Sequence, residues 1–167
     1  LSQLLLKAGV ETIVLERKTR EYVLARIRAG ILEQGMVNLL READVADRLD
    51  REGFVHDGTL IASDNDTFRI DFAKSVGVPV VVYGQTEVTR DLYDAREATG
   101  GETVFEADDV CLHDVKSDAP YVTFRKDGRD QRIDCDYIAG CDGFHGVSRE
   151  TIPKDVRQEF EKVYPFG

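Results

Sequence analysis

This sequence predicts an α/β fold: a parallel sheet carrying an antiparallel β-meander, with the first strand of the sheet missing. Three observations lead there. The chain opens on a helix followed by a buried strand, which is half of a βαβ unit. Runs with helical and extended apolar spacing then alternate as far as Phe105. Beyond it, three short extended runs, with an Asp-Gly turn before the last, read as a meander.

The elements follow in chain order. Leu1, Leu4, Leu5 and Ala8 have helical spacing, and Gly9 is a helix stop. Thr12-Ile13-Val14-Leu15 is a buried strand ending at Glu16. Its βαβ partner would precede Leu1, so the sheet should carry an empty slot beside the Glu16 strand. Arg17 to Arg28 reads as a basic connection. After Gly30, Leu32, Met36, Leu39, Leu40 and Ala43 share a helical face, and Val45 and Leu49 continue it as a second short helix. Gly53 and Gly58 bracket a turn. Leu60-Ile61 and Phe68-Arg69-Ile70 are short strands joined by Asp64-Asn65-Asp66. Val78 to Tyr83 is a strand with Pro79 at its start. Thr86 caps a helix carrying Val88, Leu92, Ala95 and Ala98, closed by Gly100-Gly101. Thr103-Val104-Phe105 is a strand. Val110–Val115, Tyr121–Arg125 and Gln131–Cys135 form the meander, turning at Asp127-Gly128, and Tyr137–Ala139 returns to the main sheet.

Composition narrows the function classes. The chain has 167 residues and a formal net charge of −10, which argues against nucleic acid or an anionic membrane as the main partner. No apolar run approaches the ~20 residues a membrane span needs, and no signal peptide is visible. Cys111, Cys135 and Cys141 form no CxxC pair, so no metal site is expected and reduced thiols in a cytoplasmic protein are. The chain starts at Leu1 without Met and ends on Tyr164-Pro165-Phe166-Gly167, an apolar run like the entry to another element. It reads as a piece of a longer protein.

Four places carry candidate chemistry. In the run Asp136–Arg149, Gly140, Gly143 and Gly146 recur every third residue, with Asp142 as acceptor and His145 and Arg149 as donors. A bare backbone with those groups suits a ribose- and phosphate-bearing cofactor. The competing reading is a tight turn in which Asp142 caps the next segment. Glu16, at the end of the second strand of a βαβ unit, suits a ribose diol, or is a solvated strand-end charge. Arg26 and Arg28 would share a side if Arg26–Gly30 is extended, two forks fit for phosphates, or they belong to a solvated loop. Gln85 lies between a strand and a helix start, where ligands gather in open α/β sheets, or is an ordinary loop residue. His56 and His113 have no suggestive neighbours. No GxGxxG and no GxSxG occurs.

Together Glu16-Arg17, Tyr22–Gly35 (YVLARIRAGILEQG), Tyr83–Leu92 (YGQTEVTRDL) and Cys135–Arg149 (CDYIAGCDGFHGVSR) resemble the single-component FAD-dependent aromatic hydroxylases, in particular those acting on 4-hydroxybenzoate. Position 25 is Ala where that pattern has Gly. The resemblance runs from Leu1 to Gly167 and is least distinctive from Asp57 to Val78. It implies a Rossmann-like FAD-binding sheet and a partial FAD/NAD(P)H-binding domain over 1–167, with the Gly-rich loop and the substrate domain lying outside this chain. In that family Glu16, Arg26, Gln85 and Asp142 would hold FAD. Arg17, Tyr22, Arg28, His145 and Arg149 would serve NADPH, and no catalytic residue would lie in this chain. The implied reaction uses NADPH and O₂ to hydroxylate 4-hydroxybenzoate to protocatechuate, in a homodimer, with the fragment alone inactive. Two other readings stand beside it: a related hydroxylase acting on another phenol, and a nucleotide-binding module without redox chemistry.

Overall fold

The computed structural model describes residues 1–26 and 28–165. The Ile27 part of the Arg26–Gly30 stretch and the Phe166-Gly167 end of the apolar run lie outside the described residues. The chain divides into two compact units, Leu1–Glu106 and Ala107–Gly167.

The first unit begins with α1 (Ser2–Lys7), which stops where Gly9 adopts a φ of +79°. β1 (Ile13–Glu16) follows, then α2 (Arg20–Ala25), β2 (Ile31–Leu32), α3 (Gln34–Glu42), α4 (Asp47–Glu52) and β3 (Phe54–His56). The hairpin β4 (Gly58–Ser63) and β5 (Asp66–Asp71) leads to α5 (Phe72–Val76), β6 (Val80–Val82), α6 (Gln85–Ala98) and β7 (Glu102–Phe105). β1 and β7 pair in parallel, with Ile13 opposite Glu102 and Glu16 opposite Phe105. Among the described residues β1 has no other partner strand.

The rest of the unit is antiparallel. β6 lies between β2 and β3 and runs against both, so the Val78–Tyr83 run does not join the parallel pair as the alternation of elements suggests. Both edges of this short strand are already hydrogen-bonded there. The core gathers Val37, Leu40, Ala43, Val45, Ala46, Leu49, Val81, Tyr83 and Val88, with Leu4, Leu32, Leu92 and Ala95 packed against them.

Several local expectations are corrected. Arg17–Arg28 is not simply a connection: Thr19 accepts the Tyr22 N–H at 3.1 Å and starts α2 inside it. Leu32 is strand, and α3 buries Val37 and Leu40 while Met36 and Leu39 stay 38% and 48% exposed. Two apolar stripes lie side by side on that helix, and the three-residue spacing alone cannot choose between them. Gly53 and Gly58 flank β3 rather than a turn. α5 was hidden in the least distinctive stretch, although Asp71 caps it through the Lys74 N–H (3.0 Å) and Gly77 closes it at φ +77°. α6 starts at Gln85, because the Gly84 carbonyl takes the Glu87 and Val88 N–H groups; Thr86 lies inside the first turn.

The second unit is the expected meander: β8 (Asp108–His113), β9 (Tyr121–Lys126) and β10 (Arg129–Asp134), all antiparallel. Val122 and Phe124 alternate inward on β9. Asp127 and Gly128 both take positive φ, 51° and 72°, as a tight two-residue hairpin turn demands. Tyr137–Ala139 does not return to a sheet. The last ladder-like bond is Cys135 N–H to the Pro120 carbonyl (3.1 Å), after which the chain bends at Asp136 and Tyr137 stands 93% exposed. A short helix, α7 (Val147–Thr151), follows the glycine-rich turn.

One buried cation locks the parallel pair. Arg96 on α6 is 4% exposed. Its Nη2 donates to the carbonyls of Thr12 (3.1 Å) and Glu102 (2.7 Å), Nη1 to Thr12 Oγ1 (3.1 Å) and Nε to Thr103 Oγ1 (3.2 Å). Burial pushes its pKa down, yet a guanidinium stays charged. Arg96→Ala in the full-length protein should lower unfolding free energy by about 3 kcal/mol, because it removes four hydrogen bonds made by a buried cation, and Lys at this position should recover less than half. Urea unfolding at neutral pH checks both.

Candidate functional site

In the first unit the candidate residues sit at the C-terminal ends of β1 and β6. β1 delivers Glu16 half-buried. Its Oε1 accepts the Lys18 N–H at 2.7 Å, which fixes the carboxylate beside the strand end and leaves its second oxygen for another donor. Tyr93 from α6 stands nearby, edge-on to Phe105 at 5.2 Å, the residue paired with Glu16. Burial, and next the Glu16 charge, hold the Tyr93 hydroxyl above its ordinary pKa. Arg20 lies over the Tyr93 ring and pairs with Asp94, tying α2 to α6.

α2 carries Tyr22 on its exposed side. Lys18 lies 5.3 Å from the ring centroid and Arg26 5.8 Å, and Arg26 Nη1 donates to the Tyr22 hydroxyl at 3.1 Å. Arg17 is exposed on the same connection. Arg26 and Arg28 are exposed on either side of Ile27, so their sharing a side rests on a residue outside the described ones.

Gly30 brings that loop against the start of α6. Its carbonyl accepts the Tyr83 N–H at 2.7 Å. A Cβ on Gly30 would lie 2.7 Å from Gly84 Cα and 2.8 Å from the Tyr83 carbonyl oxygen. The Arg28–Gly30 backbone is thereby seated next to Gly84 and Gln85. Gln85 is the first residue of α6, with its amide exposed. Behind it, Arg48 from α4 pairs with Glu87 and, at 2.8 Å, with Asp91, which also accepts the Tyr83 hydroxyl at 2.7 Å. Burial raises the Tyr83 pKa and Asp91 raises it further, so the hydroxyl remains a donor. No spacing rule links Arg48 to residues 39 and 43 positions away, so the sequence carried no signal for this brace.

In the second unit the glycine turn has an internal explanation. Asp142 Oδ2 accepts the Ser148 N–H at 2.9 Å, and this bond holds its carboxyl below the usual carboxylate range. Gly146, at the N-cap of α7, has no side chain to do so. A Cβ there would fall 1.9 Å from Asp142 Cγ: the carboxylate occupies the space a capping side chain would take. A Cβ on Gly140 would meet Ser148 Cβ at 2.5 Å. Gly143 adopts φ +74° with open space around it. Two of the three spaced glycines therefore make room for the chain itself, and only Gly143 presents bare backbone outward.

Asp142, Gly143 and Arg149 line one hollow of about 720 Å³ with Tyr137 and Ile138. His145 is exposed beside Phe144, at 5.0 Å and edge-on, and is not part of that lining. Arg149 lies 3.8 Å over the Phe144 ring and pairs with Glu159 at 2.9 Å. His113 stacks on Tyr121 at 4.5 Å and contacts Thr123 Oγ1, a structural role on the meander. Among the described residues no cluster of His, Cys, Asp and Glu could hold a metal ion, and no helix is long and apolar enough to cross a membrane.

Comparison with known proteins bears on the family and the fold. The FAD binding domain model matches residues 1–167. A p-hydroxybenzoate hydroxylase of Acinetobacter baylyi is 50% identical over the whole chain, which spans 41% of that relative's length. Two solved structures share the fold. The flavin-dependent monooxygenase PieE, in complex with FAD and substrate, superposes with a TM-score of 0.72 at 20% identity, over 89% of this chain and 29% of that one. OxyS anhydrotetracycline hydroxylase from Streptomyces rimosus gives 0.70 at 22% identity, over 89% and 30%.

The cap makes a pH-dependent contribution. A carboxyl whose folded pKa is depressed stabilises above its unfolded pKa, near 3.8, and loses that stabilisation as pH falls through the folded value. Asp142→Ala should cost about 0.5–1 kcal/mol at pH 7 after allowance for solvent screening, and nothing once both states are protonated. Paired urea titrations at pH 7 and below pH 3 test the sign.

Proposed function

We propose that this chain, which belongs to the FAD binding domain family, is the FAD- and NADPH-binding part of an aromatic monooxygenase that uses O₂ to convert 4-hydroxybenzoate to protocatechuate. The observation that carries the reading is 50% identity, along the chain's full length, to a p-hydroxybenzoate hydroxylase. Because the chain spans 41% of that relative, the substrate-contacting residues are assigned to the remainder of the protein.

The donor set fits FAD. Glu16 offers an oriented acceptor with one oxygen to spare, the group a ribose diol needs. Arg26 at the end of α2 and Gln85 at the start of α6 would supply a cation and an amide for the ribityl and pyrophosphate portion. Asp142 keeps further lone pairs beyond its bond to Ser148 and adds a second acceptor. FAD, when bound, supplies hydride acceptance and O₂ activation, chemistry that no side chain here provides.

NADPH is the reductant in this reading. Arg17 and Tyr22 are assigned to tell a 2′-phosphate from a hydroxyl, a role supported by the charge that Lys18 and Arg26 add around the Tyr22 ring. Arg28, His145 and Arg149 take the remaining phosphate and nicotinamide contacts. The work of these residues is binding and orientation, which brings a hydride donor into line at low entropic cost. Three free thiols agree with a cytoplasmic setting, and a homodimer is the assembly we assign to the full-length enzyme.

The full-length protein should purify yellow and consume O₂ and NADPH in step with protocatechuate formation. Preference for a different phenol in a panel of hydroxybenzoates would replace the substrate assignment, and failure to bind FAD would end the proposal. Glu16→Gln should weaken FAD affinity about tenfold to a hundredfold, the loss of one charged hydrogen bond, as read by fluorescence titration of the apoprotein.

A further inference from the structure

Arg149 does not stand alone. Glu159 Oε1 accepts from Arg149 Nη2 at 2.9 Å and from Arg157 Nε at 2.8 Å, so two guanidinium groups converge on one carboxylate oxygen. Arg157 Nη1 also donates to the Arg149 carbonyl at 2.8 Å. Its side chain is only 19% exposed, against 43% for Glu159. Arg149 is steadied from the other side by the Phe144 ring at 3.8 Å and the Phe144 carbonyl at 3.3 Å. Arg149 stands on α7, whereas Arg157 and Glu159 share a stretch without helix or strand, and the anion is the most exposed of the three side chains.

We infer that Arg149 and Arg157 form a two-guanidinium phosphate site, with Glu159 as an internal anion that the phosphate displaces. Two fixed forks repel each other unless an anion lies between them. One carboxylate oxygen serves both, which is poor use of two five-donor groups. A phosphate presents more oxygens and more charge to the same pair. Glu159 therefore keeps the site assembled before the ligand arrives and lowers apparent affinity by the strength of its own contact. This inference rests on the reading that the enzyme binds NADPH at Arg149. It adds Arg157 as a ligand and Glu159 as the competitor. The phosphate is either the pyrophosphate shared by NADPH and NADH or the 2′-phosphate of NADPH alone.

The test is steady-state kinetics of the FAD-loaded full-length enzyme with NADPH and with NADH, for wild type, Glu159→Gln, Arg157→Ala and Arg157→Lys. Glu159→Gln keeps the shape and removes the charge. It should lower the NADPH KM about threefold with kcat unchanged, the scale of a partly exposed ion pair. Arg157→Ala should raise that KM about tenfold, and Arg157→Lys should recover part of the loss. Effects confined to NADPH place the 2′-phosphate in the site, and equal effects on both reductants place the pyrophosphate there. A KM that rises or stays unchanged in Glu159→Gln overturns the competitor role, and an unchanged KM in Arg157→Ala overturns the site. Wild-type enzyme that does not oxidise NADPH at all fails the underlying reading instead, before any variant is compared.

Discussion

The first unit depends on what Arg96 does to β1 and β7. Two short parallel strands have little area of their own, and their N-terminal ends would leave carbonyls without donors. One guanidinium satisfies both strands and attaches them to the end of α6. The same helix begins at Gln85, about 16 Å away at 1.5 Å per residue. A bond at the rear of the unit thus sets the spacing between a carboxylate on a strand end and an amide on a helix start. The buried Arg96 guanidinium is served by the Thr12 and Glu102 carbonyls and the Thr12 and Thr103 hydroxyls, which the parallel register of β1 and β7 holds together.

Both candidate carboxylates follow one design. Glu16 is held by the N–H of Lys18, two residues on, and Asp142 by that of Ser148, six residues on. A backbone donor orients each acid without supplying a countercharge, so the negative charge remains available to hydroxyl and amide donors. The candidate cations are restrained as well: Arg26 by Tyr22, Arg149 by Phe144 and Glu159. Groups already held in place lose less freedom when a ligand binds.

Much of this was legible in the chain. The meander, the Asp127-Gly128 hairpin and Glu16 at a strand end follow from local residue chemistry, and local chemistry acts on neighbours. The family resemblance rests likewise on contiguous runs. What escaped depends on distance or on geometry too fine for spacing. Arg48 meets Glu87 and Asp91 across the fold, and Arg157 meets Glu159 only because the backbone between Pro153 and Tyr164 is irregular. The run Tyr137–Ala139 looks like a strand because it is apolar, but strand character needs a partner edge, and the chain bends at Asp136 instead. The three-residue spacing of the glycines suggests openings for a ligand, yet at Gly140 and Gly146 the space is taken by Ser148 and Asp142. Spacing reveals where side chains are absent and not what fills the gap.

Gly30 carries a consequence for engineering. The atoms that exclude a side chain there are Gly84 Cα and the Tyr83 carbonyl oxygen, both main chain. Trimming a neighbouring side chain cannot relieve a collision with backbone, so no second-site substitution at 83 or 84 restores a protein altered at position 30. Hybrids that exchange the 26–30 loop with a homologue inherit the same restriction: a donor loop must bring its own glycine at this place, or else the whole β6–α6 junction must travel with it.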